Sequence, residues 1–151
     1  MIGWLLDTNV ISEIASPGCD PKVAAWAREE PEDRLFISIL SLGEYDKGIA
    51  NLPPDAAARE RFGAAVLALE ARFVGRVVSL DDAIVRRWGR ISGEIQRAAG
   101  KAPPVIDTLL AATAIERDLY LATRNVKDVR ASGASIFDPW TDDPAAFPLR
   151  P

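Results

Sequence analysis

Four polar side chains close apolar runs or open helices in this chain, and together they are the residues able to do chemistry. Ile2-Gly3-Trp4-Leu5-Leu6 stops at Asp7, which Thr8, Asn9 and a helical pattern follow directly. An acid at the carboxyl end of a strand that feeds a helix lies where open α/β sheets place their ligands. The other three are Glu44, Asp107 and Asn125. The chain has no histidine, so acid–base or hydrolytic chemistry here falls to carboxylates and to a metal they hold.

Each position also has a plainer reading. Asp7 can be an N-cap for the helix that follows, although Thr8 and Asn9 can share that work. Ser41-x-x-Glu44 has the form of a capping box, with Glu44 reaching back to the Ser41 amide. Gly43 and Gly48 sit beside Glu44 and weaken a helix interior by about 1 kcal/mol each relative to Ala, which suggests room kept near the carboxylate. Asp107 falls in the first turn after Pro104, where the helix dipole favours an acid. Yet Leu110, Ala111 and Ala114 continue its stripe, and a buried carboxylate without a counter-charge is costly. Asn125, after Leu121-Ala122-Thr123-Arg124, is most simply a turn or helix-cap residue, with Asp128 in the same short helical turn.

The elements that must position these residues read as alternating strands and helices. Strands fall at Ile2 to Leu6, Leu35 to Ile37, Val77 to Leu80, Leu119 to Ala122 and Ser135 to Phe137. Helices run from Asn9 to Ala15, from near Pro21, from Ser41 to Asn51, from about Asp55 to Phe73 with Phe62, Val66, Leu69 and Phe73 as its stripe, from Asp81 or Asp82 to Gly100, and from Val105 to Ile115. The last is apolar nearly all round and therefore expected to be buried. This alternation predicts a three-layer α/β/α domain around a parallel sheet of four to five strands, spanning residues 1–140, followed by a Pro-rich tail over 141–151 that is only partly ordered. In such a sheet, strand ends and the helix starts after them meet on one rim. Three carboxylates and an amide converging there suit Mg²⁺ or Mn²⁺. Such an ion activates water and stabilises a phosphoryl group, so a phosphodiester is the substrate that fits best. Arg124, Lys127 and Arg130 can hold phosphates or be solvated surface charge.

Composition bounds the rest. With 151 residues, 48% hydrophobic and 26% charged, the chain reads as one globular domain. No stretch is apolar enough for a membrane span and no signal-peptide flank is present, so a cytoplasmic protein is expected. The single cysteine, Cys19, sits in a turn and has no internal partner. A net charge of −4, from 18 Lys+Arg against 22 Asp+Glu, argues against coating nucleic acid by bulk charge but not against a nuclease with acids around a metal.

The motifs resemble those of the PIN-domain ribonucleases, specifically the VapC toxins of VapBC toxin–antitoxin pairs. The matching stretches are Leu5-Leu6-Asp7-Thr8-Asn9-Val10-Ile11-Ser12, Ser41-Leu42-Gly43-Glu44, Asp107 through Ala114, and Ala122-Thr123-Arg124-Asn125-Val126-Lys127-Asp128. Asp138-Pro139-Trp140 is similar to the Asn-Pro-Trp tail of the FitB-like branch. The resemblance implies a Mg²⁺- or Mn²⁺-dependent endoribonuclease acting on tRNA or rRNA. It also implies a homodimer and a VapB-like antitoxin whose basic tail enters the acidic pocket. It makes Asp7 and Asp107 the principal metal ligands, gives Glu44 a metal- or water-positioning role, and has Thr8, Asn9 and Thr123 orient the pocket. Asn125 stands where the family commonly has Asp, with Asp128 as a candidate substitute. A haloacid-dehalogenase phosphatase would want an acid where Asn9 stands. A receiver domain would want an acidic pair before its first helix. The non-enzymatic alternative is a binding module that uses the acidic pocket to grip a basic partner peptide.

Overall fold

Gly3–Leu6 forms a strand, β1, whose four residues are all buried. Parallel strands covered on both faces carry continuous apolar runs of this kind. The computed structural model, which describes residues 1–151, places β1 at the centre of a five-stranded, all-parallel sheet. The other strands are β2 (Leu35–Ser38), β3 (Val77–Val78), β4 (Leu119–Ala122) and β5 (Ile136–Phe137). Seven helices connect or cover them: α1 (Thr8–Ala15), α2 (Pro21–Glu29), α3 (Ile39–Ala50), α4 (Ala58–Arg72), α5 (Asp82–Ala99), α6 (Val105–Glu116) and α7 (Val126–Val129).

The strand order is β3-β2-β1-β4-β5. The chain winds outward from β1 through β2 to β3, then returns to the other side of β1 for β4 and β5. The winding direction therefore reverses between β1 and β4, and such a switch point leaves a crevice at the carboxyl ends of the two strands. In the register Leu6 lies opposite Ala122, so Asp7 and Thr123 emerge side by side into that crevice.

The pleat sends alternate residues of β1 into two cores. Trp4 and Leu6 join Val10, Ile11, Trp26, Phe73 and Phe137 on one face. Leu5 joins Leu110, Ala111, Ala114 and Leu121 on the other. A third cluster of Ile84, Ile91 and Ala112 seals α5 against α6, completing the three-layer α/β/α arrangement expected from the sequence. Trp4 is 1% exposed and stacks within 4.7 Å of Phe137 and 4.9 Å of Tyr120, centroid to centroid. A side chain of this size removes 150–250 Å² from water, worth on the order of 4–6 kcal/mol at about 25 cal/mol per Å². Close approach also explains Gly3, where a Cβ would run into the Arg34 carbonyl and meet the Phe36 ring at 3.1 Å.

Local signals set most helix ends. Asp20 caps α2 by accepting from the Lys22 amide at 2.8 Å, with Pro21 at the first helical position. Asp81 caps α5 through the Ile84 amide, and Gly100 ends that helix with φ 78°. As expected, α6 is buried, from Thr108 through Ala114 along its inward faces.

Three expectations differ from the structure. Helix α3 begins at Ile39, capped by Ser38 accepting from the Leu40 amide at 3.1 Å, rather than at Ser41. Helix α4 begins at Ala58 rather than Asp55 and buries no residue fully; Phe62 of its stripe is 41% exposed. The Pro-rich tail is not loose. Phe147 and Leu149 pack against the Trp4 core, Tyr120 donates its hydroxyl hydrogen to the Pro148 carbonyl at 3.1 Å, and the Arg150 amide donates to the Met1 carbonyl at 2.8 Å. The tail covers the aromatic cluster of Trp4, Tyr120 and Phe137, which would otherwise face water.

Candidate active site

Asp7 joins β1 to α1. Its amide donates to the Ala122 carbonyl at 3.0 Å, and its own carbonyl accepts the first helical bonds from Val10 and Ile11. Its side chain does not cap the helix. The buried carboxylate instead accepts from Thr123 Oγ1 at 2.7 Å and from Asn9 Nδ2 at 3.1 Å, both at Oδ2. The Asp7 side chain is therefore not the cap of α1; it is held at the switch point by Thr123 and Asn9. Burial pushes its carboxyl up from the ordinary 3.8, against hydrogen bonding from Thr123 and Asn9 and the nearby amides of Thr8 and Asn9.

Thr123 is the hub of this corner. Its hydroxyl oxygen also accepts from the Asn125 amide at 3.0 Å and from Asn9 Nδ2 at 3.3 Å. Asn9 in turn accepts the Arg124 amide at Oδ1, 3.3 Å away. The two strand ends are thus tied together by side chains that hold Asp7 in one orientation.

Glu44 is not the second half of a capping box. With α3 starting at Ile39, it lies in the helix interior, and Oε1 accepts from Thr8 Oγ1 at 2.9 Å. Thr8 Oγ1 is also 2.9 Å from Ser41 Oγ. A hydroxyl has one proton, so the Thr8 hydroxyl hydrogen is shared between the Glu44 carboxylate and the oxygen of the fully buried Ser41. Gly43 and Gly48 line an open groove of about 910 Å³ beside Glu44, with Leu40, Lys47 and Ile106. Added Cβ atoms there would meet nothing within 4 Å, so these glycines border space rather than fill a tight contact.

Asp107 stands in the first turn of α6, half-buried and without a hydrogen-bond partner. Burial raises its carboxyl above 3.8, and the negative charges of Asp7, Asp128 and Glu44 raise it further, in that order. Those four acids therefore share one electrostatic neighbourhood. None of them belongs to an ion pair. Asn125 reaches the same rim but differently: its side chain is exposed and caps nothing, while its amide supports Thr123. It does hold the N-cap position of α7, through its backbone carbonyl, which accepts from the Asp128 amide at 3.1 Å. Asp128, on α7, carries the fourth negative charge.

The donor set is all oxygen, partly desolvated and unneutralised. It suits a hard divalent cation such as Mg²⁺ or Mn²⁺, which takes a few carboxylates and completes its shell with water. The carboxylates do not form a closed ligand cage: no group of three or more comes together as one, because Asp7 is turned to Thr123 and Glu44 to Thr8. Local sequence gave no hint of the Thr8–Ser41 contact, which spans 33 residues.

This sheet order, with an acid after the first strand and further acids on α3 and α6, defines a class. Residues 4–131 match the PIN domain family, and the chain belongs to that family. It is 30% identical over 141 residues to the Toxin FitB of Neisseria gonorrhoeae, covering 91% of this chain and 99% of that protein. It is likewise 30% identical over 139 residues to the VapC ribonuclease Y4jK of Sinorhizobium fredii, covering 90% and 96%. The crystal structure of FitAcB from Neisseria gonorrhoeae aligns with a TM-score of 0.78 at 28% identity, over 91% of this chain and 98% of that one. DNA-bound VapBC from Salmonella typhimurium aligns with a TM-score of 0.74 at 26% identity, over 92% and 99%. No helix is long and apolar enough to cross a membrane.

Proposed function

We propose that the chain is the toxin of a VapBC-type toxin–antitoxin pair, a Mg²⁺- or Mn²⁺-dependent endoribonuclease that cuts tRNA or rRNA in the cytoplasm. The observation that carries this reading is the neighbourhood of Asp107, whose carboxyl is raised by burial and by the charges of Asp7, Asp128 and Glu44, with none of the four acids in an ion pair. The PIN domain match and relatives named as toxins and VapC ribonucleases supply the substrate class.

Asp7 and Asp107 are the metal ligands in this account, and Glu44 either joins them or positions the attacking water. A bound divalent ion lowers the pKa of water and stabilises charge on a phosphoryl group. Thr123 and Asn9 orient Asp7; Thr8, backed by Ser41, orients Glu44. Asn125 sets the Thr123 hydroxyl through its amide, and Asp128 adds charge at the rim. Hydrolysis adds water across a phosphodiester: a new O–P bond forms, the bond to the leaving ribose oxygen breaks, and that oxygen takes up a proton. Water as nucleophile leaves no 2′,3′-cyclic phosphate.

The partner in this reading is a VapB-like antitoxin whose basic tail neutralises the acidic rim, and the active assembly is a homodimer. Structural neighbours that are FitAB and VapBC complexes support such a partner. Brief expression in cells, followed by mapping of RNA ends, tests the proposal. Discrete new ends lacking cyclic phosphate are expected with the wild type and absent with Asp7→Asn. Identical end maps for the two would overturn it.

A further inference from the structure

Arg124 follows Thr123 at the end of β4, and its guanidinium sits over the Trp140 ring, 4.9 Å from the centroid. The tail turn builds the platform. Asp138 Oδ1 accepts from the Trp140 amide at 2.9 Å, the Asp138 carbonyl accepts from the Thr141 and Asp142 amides, and Asp142 Oδ2 accepts from the Asp138 amide at 2.8 Å. Trp140 also packs against the main core. Arg124 itself is fixed at its backbone, since its amide donates to Asn9, the residue that holds Asp7.

The guanidinium belongs to no ion pair and its N–H donors meet no acceptor in the protein. Arg61, Arg72 and Arg76 also lie over aromatic rings, but Arg72 and Arg76 are committed to Glu32 and Arg61 stands on α4 rather than at a strand end. Arg124 is thus a free, planar, pre-oriented cation one residue from Thr123, on a rim whose acids repel phosphate. Arg suits phosphate because its fork matches two phosphate oxygens and its plane stacks.

We propose that Arg124, braced by Trp140, binds a backbone phosphate of single-stranded RNA beside the Asp7–Asp107 centre, and that Asp138-Pro139-Trp140 exists to brace it. The proposal rests on the ribonuclease reading above. Arg124 is a substrate-binding residue, and Trp140 a positioning residue acting through it.

The test is steady-state cleavage of a short single-stranded RNA with Mn²⁺ at several salt concentrations. Arg124→Ala is expected to raise KM about tenfold with kcat within about twofold, and to reduce the slope of log(1/KM) against log salt by about 0.7, one phosphate contact. Arg28→Ala, which removes an exposed charge on α2, is expected to change neither. Trp140→Leu is expected to raise KM about threefold in the wild type but no further in the Arg124→Ala background, since residues acting as one unit are non-additive. Unchanged KM and salt slope for Arg124→Ala, in a wild type that cleaves, would overturn the phosphate role and leave the nuclease reading standing. Additive effects of the two substitutions, with a lowered Tm for Trp140→Leu, would overturn the brace. A wild type that cleaves no RNA would overturn both readings.

Discussion

Thr123 donates its hydroxyl hydrogen to Asp7 Oδ2 at 2.7 Å, inside the protein and across 116 residues of sequence. The bond joins the ends of the two strands between which the sheet reverses its winding. It favours the ionised carboxylate, opposing the burial that raises Asp7. Replacing Thr123 with Val removes the donor while keeping the shape. Loss of such an orienting partner costs about 10- to 100-fold, so kcat/KM is expected to fall by that order. The acid limb of its pH profile is expected to move to higher pH, since Asp7 then protonates more readily. Thr123→Ser, which keeps the donor, is expected to retain most activity.

The metal-free protein is expected to pay for its acidic rim in stability as pH rises. Folded Asp7 and Asp107 hold protons above the ordinary 3.8. Between that value and their raised folded values, the native state binds more protons than the unfolded chain, and stability falls with increasing pH. Glu32 and Asp81 are lowered, so their contribution is lost only on acidification, below the ordinary carboxylate range. Thermal melts in chelator from about pH 4 to pH 7 separate the two. The Tm of Asp107→Asn minus that of wild type is expected to increase with pH.

A divalent ion should reverse that penalty. At a free Mn²⁺ concentration about 100 times Kd, binding to the folded state alone adds about 2.7 kcal/mol. A clear rise in Tm is therefore expected for wild type, and none for the Asp7→Asn, Asp107→Asn double variant, whose melt in chelator should be at least as high as that of wild type.

Gly3 is a packing constraint rather than a site residue. A Cβ there collides with the Arg34 carbonyl of the neighbouring segment, and the backbone of β1 cannot retreat from a sheet filled on both faces. Gly3→Ala is expected to cost about 1–3 kcal/mol, read as a lower urea midpoint with unchanged m-value.

Much of the architecture was legible because strand and helix periods differ and because buried parallel strands are short, continuous apolar runs. Asp7 was singled out as an acid at the end of an apolar strand that feeds a helix, and Asp107 as a carboxylate heading an apolar stripe that gives it no counter-charge. The capping-box reading of Glu44 failed because α3 starts at Ile39, which puts Glu44 in the helix interior. Phe36-Ile37-Ser38-Ile39-Leu40 is apolar across the strand–helix junction, so nothing in it marks Ser38 rather than Ser41 as the cap. The partners of Thr8, Ser41 and Thr123 are set by strand order and register, which local spacing does not encode. The tail misled because its prolines and acids resemble a solvated segment, whereas Phe147 and Leu149 find the aromatic cluster around Trp4 only once the sheet is built. The stack of Arg124 on Trp140 depends on that same folded tail.

The central claim is that the rim acids run metal-dependent RNA hydrolysis, and cleavage by the purified chain tests it most directly. With end-labelled tRNA and rRNA fragments, wild type is expected to cut at discrete positions in Mn²⁺ or Mg²⁺ and to stop when the ion is chelated. Asp107→Asn, with its fold verified by circular dichroism, is expected to lose activity by about 100-fold or more, the scale of losing a group central to transition-state stabilisation. A folded wild type that cuts no RNA with either ion, or an Asp107→Asn variant that cuts as well as wild type, would contradict the account.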